Sequence, residues 1–209
     1  MKLDKFIKNC YQTLPILSDY QQPWEITENA NKIIRNIISN LKPDEYNIDG
    51  NIAIHKTAVI ENNVVLKDSV VIEKNCFVGA GAYLRGGVYL AEDVVAGHGC
   101  EIKSSFIFKK SRIAHLNYVG NSIIGEDVNF EAGSIAANYF NEIEKDIEML
   151  IDGKKIKTGV KKFGALVGDN SRIGANAVLD PGSTLTPGKI IGRLEHYEQF
   201  KEYLNSNSV

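Results

Sequence analysis

Cysteine, net charge and long apolar runs are all scarce in this sequence, and each scarcity argues against a class of protein. The 209 residues include three cysteines and no CxxC pair, so neither a disulfide framework nor a zinc-thiolate site is expected. A formal net charge of −2 argues against a general nucleic-acid binder. No stretch approaches the roughly 18 apolar residues of a membrane span, and no positively charged start leads into an apolar run. The sequence therefore predicts a cytoplasmic protein with neither a membrane nor a nucleic acid as partner.

What the sequence has instead is a repeat of six residues, with a small apolar residue leading an aliphatic one by two positions. The first register is Ala58, Val64, Val70, Cys76, Ala82, Val88, Val94 and Cys100. The second register is Ile60, Leu66, Ile72, Val78, Leu84, Leu90, Ala96, Ile102 and Phe108. Helices repeat near 3.6 residues and isolated strands near two, so this period indicates a mainly β fold, a parallel β-helix of hexapeptides with three units per coil. By analogy with other hexapeptide coils, it is expected to be left-handed.

Other segments flank the repeat. Residues 1–50 form a predicted N-terminal helical segment, in which apolar residues from Ile26 to Leu41 follow helical spacing. The β-helix is predicted over 51–192, and 193–209 are predicted to hold a short C-terminal helix and tail that cover the open end of the coil. The apolar residues that indicate this last helix are Leu194, Tyr197, Phe200 and Leu204.

The period is also interrupted. It shortens by one residue between Ile102 and Ile113 and again between Val119 and Ile124, and it is lost between 140 and 163. Within that insertion, IEMLIDGKKIK at 147–157 predicts a hairpin about an Asp-Gly turn. We expect the hairpin to project from a corner of the coil.

Two sets of residues stand out from the apolar pattern. Lys67, Arg85 and Lys103 are 18 residues apart, so they stack on successive coils and form either a solvated ladder or an anion site. His98 and His115 are 17 apart and should lie on neighbouring coils. A zinc site of the β-helical kind needs three histidines, so no metal is expected here, and a histidine that acts as a base or lies on the surface is favoured.

The stretch HLNYVGNSIIGEDVNFEAGSIAANYF, at 115–140, points to a family. It resembles the acetyltransferase half of the bifunctional N-acetylglucosamine-1-phosphate uridyltransferase/glucosamine-1-phosphate N-acetyltransferase family, which shares HLxYxG, DVNxGAG and NY in this order. AYLRGG at 82–87 and EIKSS at 101–105 match in register, and PWEITENANK at 23–32 looks like the linker of related sugar nucleotidyltransferases. What precedes that linker is too short for a nucleotidyltransferase domain and has no Gly-rich nucleotide loop, so the resemblance covers only the second half of the two-domain enzymes.

The resemblance implies an acyltransferase of UDP-N-acetylglucosamine biosynthesis, an acetyl-CoA-dependent N-acetyltransferase acting on glucosamine-1-phosphate or a related amino-sugar phosphate. It implies a homotrimer with sites between subunits and no metal. His115 would be the general base, a role that suits an imidazole with a pKa near neutrality. The residues implied in substrate binding are Arg85, Lys103, Tyr118 and Asn129. Those implied in acetyl-CoA binding are Ala132, Asn138, Tyr139 and Ala175.

The chain departs from the family's pattern in three ways. Glu131 stands where glycine is usual, the insertion is longer, and the shortened last coils leave no clear counterpart for a late basic residue that helps to bind CoA. Two alternatives therefore stay open. One is an acetyltransferase for a nucleotide-linked sugar, and the other is a non-catalytic β-helix that binds a sugar-phosphate or scaffolds a separate nucleotidyltransferase.

Overall fold

Short strands recur along most of the chain in the computed structural model, which describes residues 2–143 and 145–201. The strands are β1 (Tyr46–Asp49), β2 (Ile52–His55), β3 (Val59–Ile60), β4 (Val65–Leu66), β5 (Val70–Ile72), β6 (Phe77–Val78), β7 (Tyr83–Leu90), β8 (Val95–Ala96), β9 (Glu101–Ile107), β10 (Arg112–Ile113), β11 (Tyr118–Gly120), β12 (Ile123–Ile124), β13 (Asn129–Phe130), β14 (Ile135–Ala136), β15 (Glu148–Ile151), β16 (Lys154–Lys157), β17 (Ala165–Val167), β18 (Arg172–Ile173), β19 (Val178–Leu179), β20 (Ser183–Leu185), β21 (Ile190–Ile191) and β22 (His196–Tyr197). The helices are α1 (Cys10–Thr13), α2 (Pro23–Glu28) and α3 (Ala30–Ser39), with short 3₁₀ turns at Leu3–Lys5 and Pro15–Asp19.

Apart from the hairpin strands β15 and β16, the strands from β2 onward stack into three parallel faces, which confirms the predicted parallel β-helix. Face one is β3, β6, β8, β10, β13, β18 and β21. Face two is β4, the first part of β7, the first part of β9, then β11, β14, β19 and β22. Face three is β2, β5, the second parts of β7 and β9, then β12, β17 and β20. Because β7 and β9 run through the corner between faces two and three, those two faces belong to one hydrogen-bonded sheet.

The six-residue register places most of its residues as predicted, but the last residue of the second register is Ile107 and not Phe108, because Ile107 pairs with the inward Leu90 where the coil loses one residue. Ala82, Leu84, Cys100 and Ile102 are fully buried inside the coil, and Cys76 is a buried free thiol like Cys100. Many of the residues just before an inward small residue have positive φ, and most of these are Asn, Asp or Gly. These residue types tolerate the left-handed conformation, so the sequence supplies them where the coil turns a corner.

The two predicted shortenings also occur. Ile102 and Ile107 are five residues apart on β9, as are Val119 and Ile124 on the next coil, and their pairing leaves neighbouring coils 17 residues apart. Both shortenings lie at the corner between faces two and three. The insertion leaves from this same corner, between β14 and β17, and contains the predicted antiparallel hairpin β15–β16 with φ of 49° at Asp152 and 72° at Gly153.

Face three is covered by other parts of the chain. α3 packs on β5, β7 and β9, α2 packs on β9, and the hairpin strand β15 packs on β20. The outward residues of this face are consequently apolar and buried, as Val71, Tyr89, Phe106, Ile123 and Leu166 show. The α3 backbone comes so close to Gly87, at φ 93°, that a Cβ there would lie 2.6 Å from the Ala30 carbonyl carbon.

The two predicted flanking helices differ from the structure in their bounds. The helix predicted from Ile26 to Leu41 is divided at Asn29, whose side-chain amide donates to the Glu25 carbonyl at 2.8 Å. At the other end the coil extends past residue 192, because the six-residue register continues from Ile191 to the buried Tyr197 on β22. The C-terminal helix therefore starts later than predicted, at residue 199, and Leu204 lies outside the described residues. Within the described ranges, no helix has the length and apolar character needed to span a membrane.

Candidate active site

One corner of the coil, between faces one and two, carries a vertical column of four residues, three of which are predicted site residues. The residues of this column, which we call the His115 column, are His115, Ala132, Ala175 and Arg193. On each next coil an amide donates to the carbonyl below, from Gly133 to His115, from Asn176 to Ala132 and from Leu194 to Ala175. With about 4.8 Å between stacked strands, His115 and Arg193 are three coils and roughly 14 Å apart.

The exposed His115 stands on a turn that is fixed from inside the coil by Asn117. The buried Asn117 side chain accepts a hydrogen bond from the His115 amide at 2.9 Å and donates to the Glu131 carbonyl at 2.7 Å and to Ser134 Oγ at 2.9 Å. Between them Leu116 has φ of 53° and is 64% exposed. Leucine rarely adopts this conformation, and backbone strain of this kind is concentrated at functional sites. The His115 imidazole therefore lies on a strained turn that the buried Asn117 side chain holds in place.

The corner between faces two and three carries a cluster of cations. Arg85 on β7 and Lys103 on β9 are register partners, and Lys162 joins them from the end of the insertion. We call these three residues the cation cluster. Burial lowers the pKa of Lys103, and the nearby charges of Lys162 and Arg85 lower it further. Cations that repel one another in this way favour the binding of an anion, because its negative charge removes the repulsion.

The Arg85 guanidinium is held from two sides. Its Nε and Nη2 donate to Glu101 Oε1 at 2.9 and 2.7 Å. Its Cζ also lies 5.7 Å from the centroid of the Tyr83 ring. Lys67, one coil away in the same sequence column, is exposed and contributes its backbone amide to Leu84. The stacked cations are therefore not equivalent, since Arg85 and Lys103 are partly buried and Lys67 is not.

Tyr118 and Asn138 line the same corner as the cation cluster. The Tyr118 hydroxyl is hydrogen-bonded with Asn138, whose Nδ2 donates to Asn121 Oδ1 at 2.6 Å. Burial raises the pKa of Tyr118, which keeps its hydroxyl proton available for donation. Gly120 pairs with Lys103, and a Cβ there would lie 2.6 Å from Tyr118 Oη and 2.8 Å from Asn138 Cγ. The absent side chain leaves room for the two polar groups to meet.

A single chain divides the predicted site residues between two corners. His115 precedes strand β11, whereas Gly120, at the level of Lys103, ends it, so the two corners are separated by the width of face two. The residues at the cation-cluster corner are Arg85, Lys103, Tyr118, Asn138 and the half-exposed Tyr139. Asn129 lies on face one, in register with Arg112 and Arg172, and borders a surface groove together with Glu131 and Arg193. Within one chain, His115 and the cation cluster are therefore separated by the full width of face two.

The charge of Glu131, which replaces the expected glycine, is satisfied within the chain. Its Oε2 accepts from the Ala175 amide and from Arg193 Nε, both at 2.9 Å, and its Oε1 accepts from Arg193 Nη2 at 3.0 Å. The hydrogen bond with Arg193, and to a smaller extent that with the Ala175 amide, lowers the pKa of the Glu131 carboxyl. Arg193 also places a basic group on the last coil, above Ala175. The sequence alone had given no clear counterpart for the late basic residue of the family's pattern.

Three residues of these corners were missed in the sequence: Glu101, Lys162 and Arg193. A signal existed for Glu101, because it is two residues before Lys103 and alternation puts both side chains on the outer surface of face two. Arg193 is 18 residues after Ala175, so the coil period also contained its position. Lys162 had no such signal, since it follows an insertion without periodicity.

His98 and His115 lie on adjacent coils, as the bond from the Leu116 amide to the His98 carbonyl shows. The His98 ring Nδ1 is 2.6 Å from the Ala80 carbonyl oxygen. Across the described part of the chain, no group of three or more His, Cys, Asp or Glu side chains is placed to hold a metal ion.

The three-faced coil of six-residue units defines the chain as a hexapeptide-repeat protein. The family described as hexapeptide repeat of succinyl-transferase matches residues 158–182, and the family described as GMPPB C-terminal domain matches residues 48–148. A hexapeptide transferase family protein from Anaplasma phagocytophilum, known from its crystal structure, has the same fold with a TM-score of 0.51 and 18% identity. That match covers 74% of this chain and 83% of the other.

Similarity to curated proteins narrows the family further. The bifunctional protein GlmU of Methanococcus vannielii is 41% identical over 181 residues, which are 84% of this chain and 42% of that protein. The bifunctional sugar-1-phosphate nucleotidylyltransferase/acetyltransferase of Sulfurisphaera tokodaii is 36% identical over 192 residues, 87% of this chain and 48% of that protein. The chain is thus a homologue of the C-terminal, acetyltransferase-like part of the bifunctional GlmU proteins, and it spans less than half the length of these relatives.

Proposed function

We propose that the chain is an acetyl-CoA-dependent N-acetyltransferase that acts on glucosamine-1-phosphate or a closely related amino-sugar phosphate. The observation that carries this proposal is the convergence of Arg85, Lys103 and Lys162 at one corner, next to the hydrogen-bonding groups of Tyr118 and Asn138. The sequence similarity to bifunctional sugar-phosphate enzymes agrees with it.

The cation cluster would bind the phosphate of the acceptor. A phosphate dianion relieves the repulsion between Lys103 and its two neighbouring cations, and charge-assisted hydrogen bonds to phosphate are about twice as strong as neutral ones. Arg85 offers a planar donor set that Glu101 already orients. Tyr118 would donate or accept a hydrogen bond at a sugar hydroxyl, and Asn129 would contact the sugar from face one of a neighbouring chain.

His115 would act as the general base. The acceptor amine attacks the thioester carbonyl carbon, so a C–N bond forms and the C–S bond breaks. The imidazole takes the proton that the amine loses, and the departing CoA thiolate gains a proton to leave as the thiol. A general base must reach the proton that it removes, and the exposed His115 imidazole on its rigid turn is accessible to an acceptor amine in the cleft.

The His115 column would hold the acyl donor. Ala132 and Ala175 leave free space above His115 because their side chains are small, and Arg193 lies roughly 14 Å further along the column. An extended pantetheine arm with its thioester at His115 would thus carry its phosphates toward Arg193. Asn138 and Tyr139, at the other corner, would complete the donor site from a neighbouring chain.

We propose that this neighbouring chain belongs to a homotrimer. The base and the cation cluster lie at opposite edges of face two, and packing one corner of a chain against the other corner of its neighbour would join them in one cleft. A cyclic arrangement repeats this contact three times and leaves no half-site unfilled. Light scattering should give a mass near three times the 23.1 kDa chain, and activity should fall on dilution below the dissociation constant of the assembly. A fully active monomer would disprove it.

Within this proposal the nucleotidyl transfer that the longer relatives' names describe would require another polypeptide region or a separate nucleotidyltransferase as a partner. Residues 1–50 would serve as a cover for the coil, and 51–192 as the acyltransferase domain.

Release of CoA thiol in the presence of different acceptors tests the function. Glucosamine-1-phosphate should give the fastest release, UDP-linked amino sugars slower release, and a sample without acceptor almost none. Preference for the UDP-linked acceptor would favour the nucleotide-sugar alternative. Binding of the sugar phosphate without any thiol release would favour a non-catalytic β-helix.

A further inference from the structure

The carboxylate of Glu131 accepts three hydrogen bonds from two residues at the Arg193 end of the His115 column. It bonds the Ala175 amide and binds Arg193 through both Nε and Nη2, with all three distances between 2.9 and 3.0 Å. A backbone amide and a guanidinium that converge on one carboxylate form a receptor for an anion. The receptor is filled here by a side chain of the same protein.

The pair is also placed on exposed surface. The Arg193 side chain is 74% exposed and that of Glu131 36%. Exposed ion pairs stabilise a folded chain only weakly, so a competing anion with more charge can separate them.

A second pair of the same kind lies nearby and serves as a comparison. Arg172 Nη2 binds Asp127 Oδ2 at 2.9 Å on face one, and their side chains are 45% and 55% exposed. This pair does not include an amide of the His115 column. The Arg172–Asp127 pair therefore has the same kinds of charged group as the Arg193–Glu131 pair but lies outside the His115 column.

We propose that Glu131 is an internal competitor of the acyl donor: its carboxylate holds Arg193 and the Ala175 amide until an anionic phosphate of the donor displaces it. This inference rests on the proposed function, because it assumes that the donor lies along the His115 column. Glu131 thereby sets the affinity for the donor without touching the reacting atoms. It weakens donor binding relative to a chain with an uncharged residue at this position.

Calorimetric titration with CoA tests the inference. Glu131→Gln keeps the size of the side chain and removes its charge, so CoA should bind about two- to fivefold more tightly, the range that loss of an exposed ion pair allows. Arg193→Ala should instead weaken CoA binding, because it removes the cation that the displaced carboxylate would leave to the phosphate. The matched control Asp127→Asn, which breaks the Arg172 pair, should leave CoA affinity unchanged.

The phosphate requirement gives a second readout. Acetyl-pantetheine lacks the phosphates of CoA, so its KM should be the same in the wild-type protein and in Glu131→Gln. Unchanged or weaker CoA binding in Glu131→Gln, or an equal gain with acetyl-pantetheine, would overturn the inference. Acetyl transfer is measured separately on the same samples. CoA binding that shifts as expected without acetyl transfer would refute only the proposed function, whereas failure of every variant to bind CoA would overturn both.

Discussion

Replacing Lys103 by methionine tests whether the cation cluster binds phosphate or is a solvated ladder. Methionine keeps the unbranched apolar stem and removes the charge. A hydrogen bond to a charged group contributes about 1.5–3 kcal/mol, so the KM for glucosamine-1-phosphate should rise by roughly 10- to 150-fold. Free glucosamine, which has no phosphate, should lose far less.

The same variant should not lose stability. Burial and the charges of Lys162 and Arg85 lower the pKa of Lys103, so its charged form is less favourable in the folded chain than in the unfolded chain. This cost is present at neutral pH and disappears as the pH rises from the lowered pKa toward the usual lysine value. Lys103→Met should therefore keep or raise the melting temperature while it weakens acceptor binding.

The control for this experiment is Lys67→Met. Lys67 belongs to the same sequence column but is exposed and lies outside the cation cluster. Steady-state kinetics with the two acceptors and thermal melts of both variants are the required measurements. Equal KM values in Lys67→Met and Lys103→Met, or equal losses for both acceptors in Lys103→Met, would show that the column is a surface ladder.

Three further outcomes can be measured with standard methods. His115→Ala should lower kcat by about 10²- to 10⁴-fold with an unchanged circular dichroism spectrum, and near wild-type turnover would exclude His115 as the base. Gly97→Ala should prevent folding in a soluble-expression and melting assay, because a Cβ there would lie within bonding distance of the Ala114 carbonyl oxygen, and a variant with wild-type melting would contradict this geometry. Asp180 raises the pKa of His196 above 6.5, so its stabilisation should be complete below pH 6.5 and be lost as the pH rises through the raised pKa. Denaturant titrations should show this loss in the wild type but not in Asp180→Asn, and the same pH dependence in both would refute the assignment.

Periodic features of the structure could be read from the sequence, and non-periodic ones could not. The inward residues and both shortenings follow from the six-residue register, because each coil repeats one backbone geometry. The Asp152-Gly153 turn was equally clear, since both residues accept positive φ. By contrast, the approach of Lys162 to Lys103 depends on the path of a unique insertion. No local pattern encodes that path.

Site residues show the same division. The column that places Ala132 and Ala175 above His115 follows from the coil period, whereas the roles of these residues came only from resemblance and remain proposals. The pairing of Glu131 with Arg193 depends on side chains that reach across two coils. Its partners could be found only once the stacking of the last coils was known.

The cover on face three has a consequence for how the chain folds. The outward side chains of that face, Tyr89 and Phe106 among them, are as apolar and as buried as the interior of the coil. Removing the residues before about residue 50 would expose a continuous apolar surface on face three to water, and exposed apolar surface of this kind drives aggregation. The change from helices to strands at this point therefore does not separate two units that unfold independently. The first 50 residues and the coil should unfold in a single transition.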